Sequence, residues 1–95
     1  MTLAELRLHR DEVLDLSRKR GAENVRVFGS LARGEESPDS DVDFLVDFEP
    51  GRSLLDLSGL TFDLERTLGC KVDVISSGGL RPRLKEEVLR DAVLL

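Results

Sequence analysis

The sequence predicts a small α/β domain, and three observations carry that prediction. Short β-rich apolar stretches at residues 25–28, from residue 41 onward and at residues 71–75 are separated by segments of helical spacing. Helix entry and exit signals flank those segments, Thr or Ser before them and Gly just beyond them. The resulting order, αβαβαβα within 95 residues, implies a small sheet covered by helices and a single domain over residues 1–95.

The elements follow in order. Thr2-Leu3-Ala4-Glu5 reads as a capping box, the Thr2 hydroxyl serving the third helical N–H and Glu5 reaching back. Leu3, Leu6, Val13, Leu14 and Leu16 keep rough helical spacing after it, and Arg18, Lys19 and Arg20 precede Gly21, so a first helix is expected over residues 3–20. Residues 25–28 alternate and stop at Gly29, a strand with Arg26 on its polar face. Residues 31–34 suit one helical turn, and residues 35–40, with Pro38 among them, suit a loop. From Asp41 the alternation sharpens: Val42, Phe44, Val46 and Phe48 share one face of a second strand, and Asp41, Asp43, Leu45 and Asp47 the other. Ser53 to Asp56 opens a helix whose Leu54, Leu57, Leu60, Leu64 and Leu68 form an apolar stripe closed by Gly69. Gly59 weakens that helix by up to about 1 kcal/mol relative to Ala. Residues 71–75 make a third strand, residues 76–79 a flexible loop and residues 82–92 a last helix.

Composition narrows the function. At 40% hydrophobic and 35% charged residues the chain is neither disordered nor membranous, and no apolar run approaches the roughly 20 residues that span a bilayer. The N-terminus lacks a cationic segment followed by an apolar core, so a cytoplasmic address is expected, and the single Cys70 cannot form an internal disulfide. A net charge of −5 argues against the chain gripping nucleic acid directly and favours a small ligand or a protein partner. Much of the negative charge lies between Glu35 and Glu49, and clustered carboxylates repel one another unless a cation compensates them.

The chemistry converges on those carboxylates. Residues two apart on a strand point to one side, so Asp41 and Asp43 emerge about 6.7 Å apart and can converge on one hard divalent cation such as Mg²⁺. Asp73 interrupts an otherwise apolar strand and joins them if that strand lies beside the second. Upstream, the Gly29-Ser30 turn links a strand end to a short helical turn, where backbone N–H groups point outward and favour anions. Ser30 can add a hydroxyl donor, and Arg33, one turn on, can reach a phosphate oxygen or lie solvated.

An apolar strand ending in Phe28-Gly29-Ser30, then ten residues, then Asp41-Val42-Asp43-Phe44 resembles the signature of the DNA polymerase beta-like nucleotidyltransferase superfamily. The stretch from Val27 to Val46 is similar to its minimal members, the MNT-type antitoxin partners of HEPN-type toxins, and the likeness in element order covers nearly the whole chain. This resemblance implies a mixed sheet of about three strands flanked by helices. It makes Gly29 and Ser30 the nucleotide-phosphate turn, and Asp41, Asp43 and Asp73 the catalytic, metal-holding carboxylates. It also implies Mg²⁺, as two ions with Mn²⁺ able to substitute, and ATP as substrate. The implied activity is that of a protein adenylyltransferase: transfer of AMP from ATP to a hydroxyl, a tyrosine, of a partner HEPN-type toxin, in the manner of a type VII-like antitoxin. Larger members carry a further helical domain that completes the acceptor site, so the acceptor is expected from another protein in a homo- or hetero-oligomer. The alternative is a catalytically inert antitoxin that neutralises the toxin by binding alone. Intact Gly29, Ser30, Asp41, Asp43 and Asp73 favour the enzyme.

Other motifs lead nowhere. Asp39, Asp41 and Asp43 resemble the start of a calcium loop, but Phe44 and Pro50 stand where Gly and Glu are needed. Gly29 to Gly34 has P-loop glycine spacing, yet Glu35 and Glu36 replace the Lys and the Ser or Thr. His9 has no second ligand and reads as surface; Cys70 reads as a small hydrophobe. Arg81, Arg83, Lys85 and Arg90 decorate a solvated helix face or meet an acidic partner.

Overall fold

The computed structural model describes residues 1–35 and 41–95. Its elements are α1 (Leu3–Leu8), α2 (Arg10–Lys19), β1 (Ala22–Phe28), α3 (Gly29–Arg33), β2 (Val42–Phe48), α4 (Leu54–Leu68), β3 (Val72–Ser76), a 3-10 turn (Ser77–Gly79), α5 (Pro82–Asp91) and β4 (Val93–Leu94). The loop expected over residues 35–40 lies, beyond Glu35, outside the described residues.

One mixed sheet in the order β3-β2-β1-β4 organises the chain. β1 runs antiparallel to both β2 and β4, while β2 and β3 are parallel, with α4 as their crossover. Val27, Val42, Phe44, Val46, Val72 and Val74 line one face and bury against Leu6, Val13, Leu60 and Leu64 from the helices. The opposite face carries the odd-numbered residues of β2, Asp43, Leu45 and Asp47, as the period-2 pattern requires. Leu45 is nonetheless fully buried. It sits on the central strand between Arg26 and Ile75, and the Arg26 side chain reaches along β2 to Asp47 at 2.7 Å.

Several expectations change. The expected helix over residues 3–20 is two, because the chain turns at His9, whose N–H donates to the Leu6 carbonyl at 2.9 Å in a tightened turn. No Pro or Gly marks the break, and both Leu6 and Val13 still reach the core. β1 begins three residues earlier than expected. A bulge separates Glu23 from Arg26, with Asn24 at φ 52° and its side-chain amide donating to Asp47 at 2.8 Å. Among the described residues the sheet has four strands rather than about three, the fourth a two-residue edge that the sequence pattern is too short to reveal.

α4 keeps its expected bounds, capped by Ser53 with Asp56 completing the box, and stopped by Gly69 in the left-handed region. Its stripe is shorter than expected: Leu60, Leu64 and Leu68 are buried and Leu57 half-buried, whereas Leu54 is exposed. Gly59 has a packing reason, since the Arg20 guanidinium lies against it and pairs with Asp63 at 3.1 Å. Among the described residues no helix is long and apolar enough to cross a membrane.

Candidate active site

Strand register assembles the site at one end of the sheet. Phe28, the last residue of β1, pairs with Asp43 on β2, and Asp43 pairs in turn with Asp73 on β3. Residues facing each other across adjacent strands project to the same side, so Asp43 and Asp73 share the face opposite the core. Asp41 stands just before β2 and keeps the alternation that aims it the same way. Burial fits this geometry: Val42, Val72 and Val74 are buried, Asp41 and Asp43 half-buried and Asp73 exposed.

Charge repulsion is legible in Asp43. Burial pushes its carboxyl above the usual aspartate range, and the charges of Asp73 and Asp41 push it further, against a smaller opposing effect of Arg33. The donors are oxygens carrying an excess of negative charge, the set that suits a hard divalent cation. Among the described residues no three His, Cys, Asp or Glu side chains are gathered tightly enough to enclose an ion by themselves.

The Gly29-Ser30 turn touches this cluster directly. Gly29 adopts φ 75°, and a Cβ built on it would collide with Asp43 Oδ2, so glycine is required twice over, by conformation and by space. Glycine here also leaves the backbone open to close approach. Ser30 follows, half-buried, in the first turn of α3.

Arg33, for which the sequence leaves phosphate contact or solvation open, is exposed and ion-paired within the fold. Its Nε donates to Glu35 at 3.0 Å and its guanidinium meets Asp91 of α5 at 3.4 Å. The hydrogen bond to Glu35 holds its pKa above the usual arginine value. The pairing with Asp91 crosses 58 positions of sequence, and nothing in the sequence could have announced it. The same contact frames a cleft of about 220 Å³ lined by Phe28, Gly29, Arg33, Leu84, Glu87, Val88 and Asp91. His9, half-buried at the turn between α1 and α2, stands 3.6 Å from Glu12, and the half-buried Cys70 packs against the core with its thiol pushed up by burial. Arg81, Arg83 and Arg90 are exposed and Lys85 half-buried.

At the far end of β2, Asp47 organises a separate network. Burial raises its pKa, but hydrogen bonds from Ser77, Asn24 and Arg26, with the Arg26 charge, outweigh that and hold it below the usual range. This network ties β1, β2 and the turn after β3 together.

Comparison with known proteins places the arrangement. The family model for the nucleotidyltransferase domain matches residues 6–95. The protein adenylyltransferase MntA of Thermococcus cleftensis is 43% identical over 79 residues, covering 83% of this chain and 80% of that one. A solved structure, provisionally assigned as a minimal nucleotidyltransferase, superposes with a TM-score of 0.91 at 55% identity, over 100% of this chain and 97% of its own. The complex of a tri-AMPylated Shewanella oneidensis HEPN toxin with an MNT antitoxin matches with a TM-score of 0.71, over 93% of this chain and 69% of that chain. At 18% identity that last likeness is one of fold.

Proposed function

This chain belongs to the nucleotidyltransferase domain family, and we propose that it is an Mg²⁺-dependent protein adenylyltransferase that modifies a tyrosine hydroxyl of a HEPN-type toxin partner. The observation that carries the reading is the register Phe28–Asp43–Asp73, which sets the Gly29 turn against two carboxylates on adjacent strands. Its adenylyltransferase relative supports the reaction class. The fold shared with an MNT antitoxin in complex with its toxin supports the class of partner.

In this reading the backbone at Gly29 and Ser30 receives the β- and γ-phosphates of ATP, with the Ser30 hydroxyl as a further donor. Asp41, Asp43 and Asp73 form the metal-holding set. A divalent cation held by these carboxylates would supply charge neutralisation for the triphosphate and a lowered pKa for the attacking hydroxyl. The acceptor oxygen bonds to the α-phosphorus, the bond from that phosphorus to the bridging oxygen breaks, and pyrophosphate leaves. The hydroxyl proton passes to a carboxylate of the trio. Holding the phosphates and the carboxylates on neighbouring strands fixes the reacting atoms relative to one another, which lowers the entropic part of the barrier.

The test uses the purified chain, the partner, Mg²⁺ and ATP labelled on either the α- or the γ-phosphate. Label retained on the partner from α-labelled ATP alone is the expected result, and it should disappear when the acceptor tyrosine becomes phenylalanine. Retention of γ-label would make the protein a kinase and end this reading.

A further inference from the structure

The cleft of about 220 Å³ between the Gly29 turn and α5 has no part in the reaction as described. It is smaller than the pockets of roughly 300–1,000 Å³ that enclose drug-sized ligands, and matches one planar ring system better than a whole nucleotide. Phe28, Leu84 and Val88 give it an apolar lining, and Glu87 and Asp91 line it too. One of those carboxylates, Asp91, is already engaged by Arg33.

We propose that this cleft holds the base of the nucleoside triphosphate, with Glu87 favouring bases that carry an amino group. The proposal rests on the nucleotidyltransferase reading of Gly29 and says which part of the substrate lies beside it. Continuity supports it, because Gly29 both lines the cleft and touches Asp43, so a nucleotide with its phosphates at the turn can extend its base into the cleft. Charge supports it too: two carboxylates against one arginine repel phosphate and suit a neutral ring. An aromatic wall such as Phe28 offers any base a face to stack on, whereas selection needs polar groups at the edge. An ionised carboxylate only accepts hydrogen bonds, so Glu87 favours adenine, guanine or cytosine, which present amino donors, over uracil, which presents one N–H between two carbonyls.

No residue of α5 is buried, so substitutions there leave the core intact. The experiment measures binding of ATP, UTP and inorganic tripolyphosphate to the chain by calorimetry in Mg²⁺. ATP is expected to bind at least roughly tenfold tighter than tripolyphosphate, the worth of burying one apolar face. Leu84→Ala with Val88→Ala should weaken ATP severalfold and leave tripolyphosphate unchanged, and Glu87→Gln should narrow the gap between ATP and UTP. Equal affinity for ATP and tripolyphosphate would overturn the base site while leaving the phosphate turn standing. The base site is equally overturned if the α5 variants leave ATP binding unchanged but raise the KM for the acceptor, which would give the cleft to the incoming protein. If the chain binds none of the three ligands, the nucleotidyltransferase reading itself fails.

Discussion

Gly29 and Asp43 constrain each other, and both constraints come down to single atoms. A left-handed backbone costs a non-glycine residue roughly 1–2 kcal/mol, and at Gly29 the added Cβ would also displace the Asp43 carboxylate. Gly29→Ala should therefore lower stability by about that amount in a thermal melt and reduce transfer by more than the stability loss explains. Asp43 has a raised folded-state pKa, so its contribution is favourable below the ordinary aspartate value and is lost as pH rises through the raised one. Asp43→Asn removes that loss: without divalent cation, the variant's melting temperature relative to the wild type should climb between acid and neutral pH. A difference that stays flat across that range would mean that Asp43 feels neither burial nor its neighbours. These residues are legible in the sequence because a Gly-Ser turn and alternating aspartates are local patterns. The pairing of Arg33 with Asp91 is not, since a contact between two surface charges on different helices leaves no periodic trace.

At the scale of elements, patterning locates most helices and strands, while tertiary contacts decide their ends. α4 is readable from cap to cap because Ser53, Asp56 and Gly69 fix its limits locally. Ser53→Ala should cost about 1 kcal/mol in denaturant unfolding. The turn at His9, the bulge at Asn24 and the edge strand β4 depend on what each segment packs or pairs against, which no local signal records. In the sequence Asp47 is one more residue on the polar face of β2, yet in the fold it accepts hydrogen bonds from three partners on β1 and the turn after β3. Asp47→Ala leaves the half-buried Arg26 without its carboxylate and should cost about 1–2 kcal/mol, part of the pair's strength being screened by solvent. Its lowered pKa gives a definite sign: the contribution is present above the ordinary aspartate value and disappears as pH falls through the folded one. The wild type should lose stability on acidification faster than Asp47→Ala, and parallel acid melts of the two would refute the network's energetic role.

Across the whole molecule, the core helices pack on one face of the sheet, and the other face presents Asp43 and Asp73 beside the cleft under α5. That asymmetry is implied by the αβ order and by alternation in β2, but which strands neighbour one another is not, because β1, β2 and β3 are similar in length and composition. Asp41 and Asp43 are half-buried and Asp73 is exposed, with nothing else among the described residues placed as their acceptor, so ATP consumption and label transfer by the chain alone should be slow and should rise when the proposed HEPN-type toxin partner is present. Metal-dependent AMP transfer to that partner, as proposed, stands or falls with Asp43→Asn, since a near-isosteric change removes a charge from the proposed cation site and leaves the surface shape intact. The measurement is the intact mass of the toxin partner recovered from co-expression with either form of this chain. Adenylate adducts are expected with the wild type and none with Asp43→Asn, at least about a thousandfold loss of rate, while the complex still forms with both. Adducts of equal abundance from Asp43→Asn, or an unmodified toxin fully neutralised by the wild type, would contradict the proposed transfer.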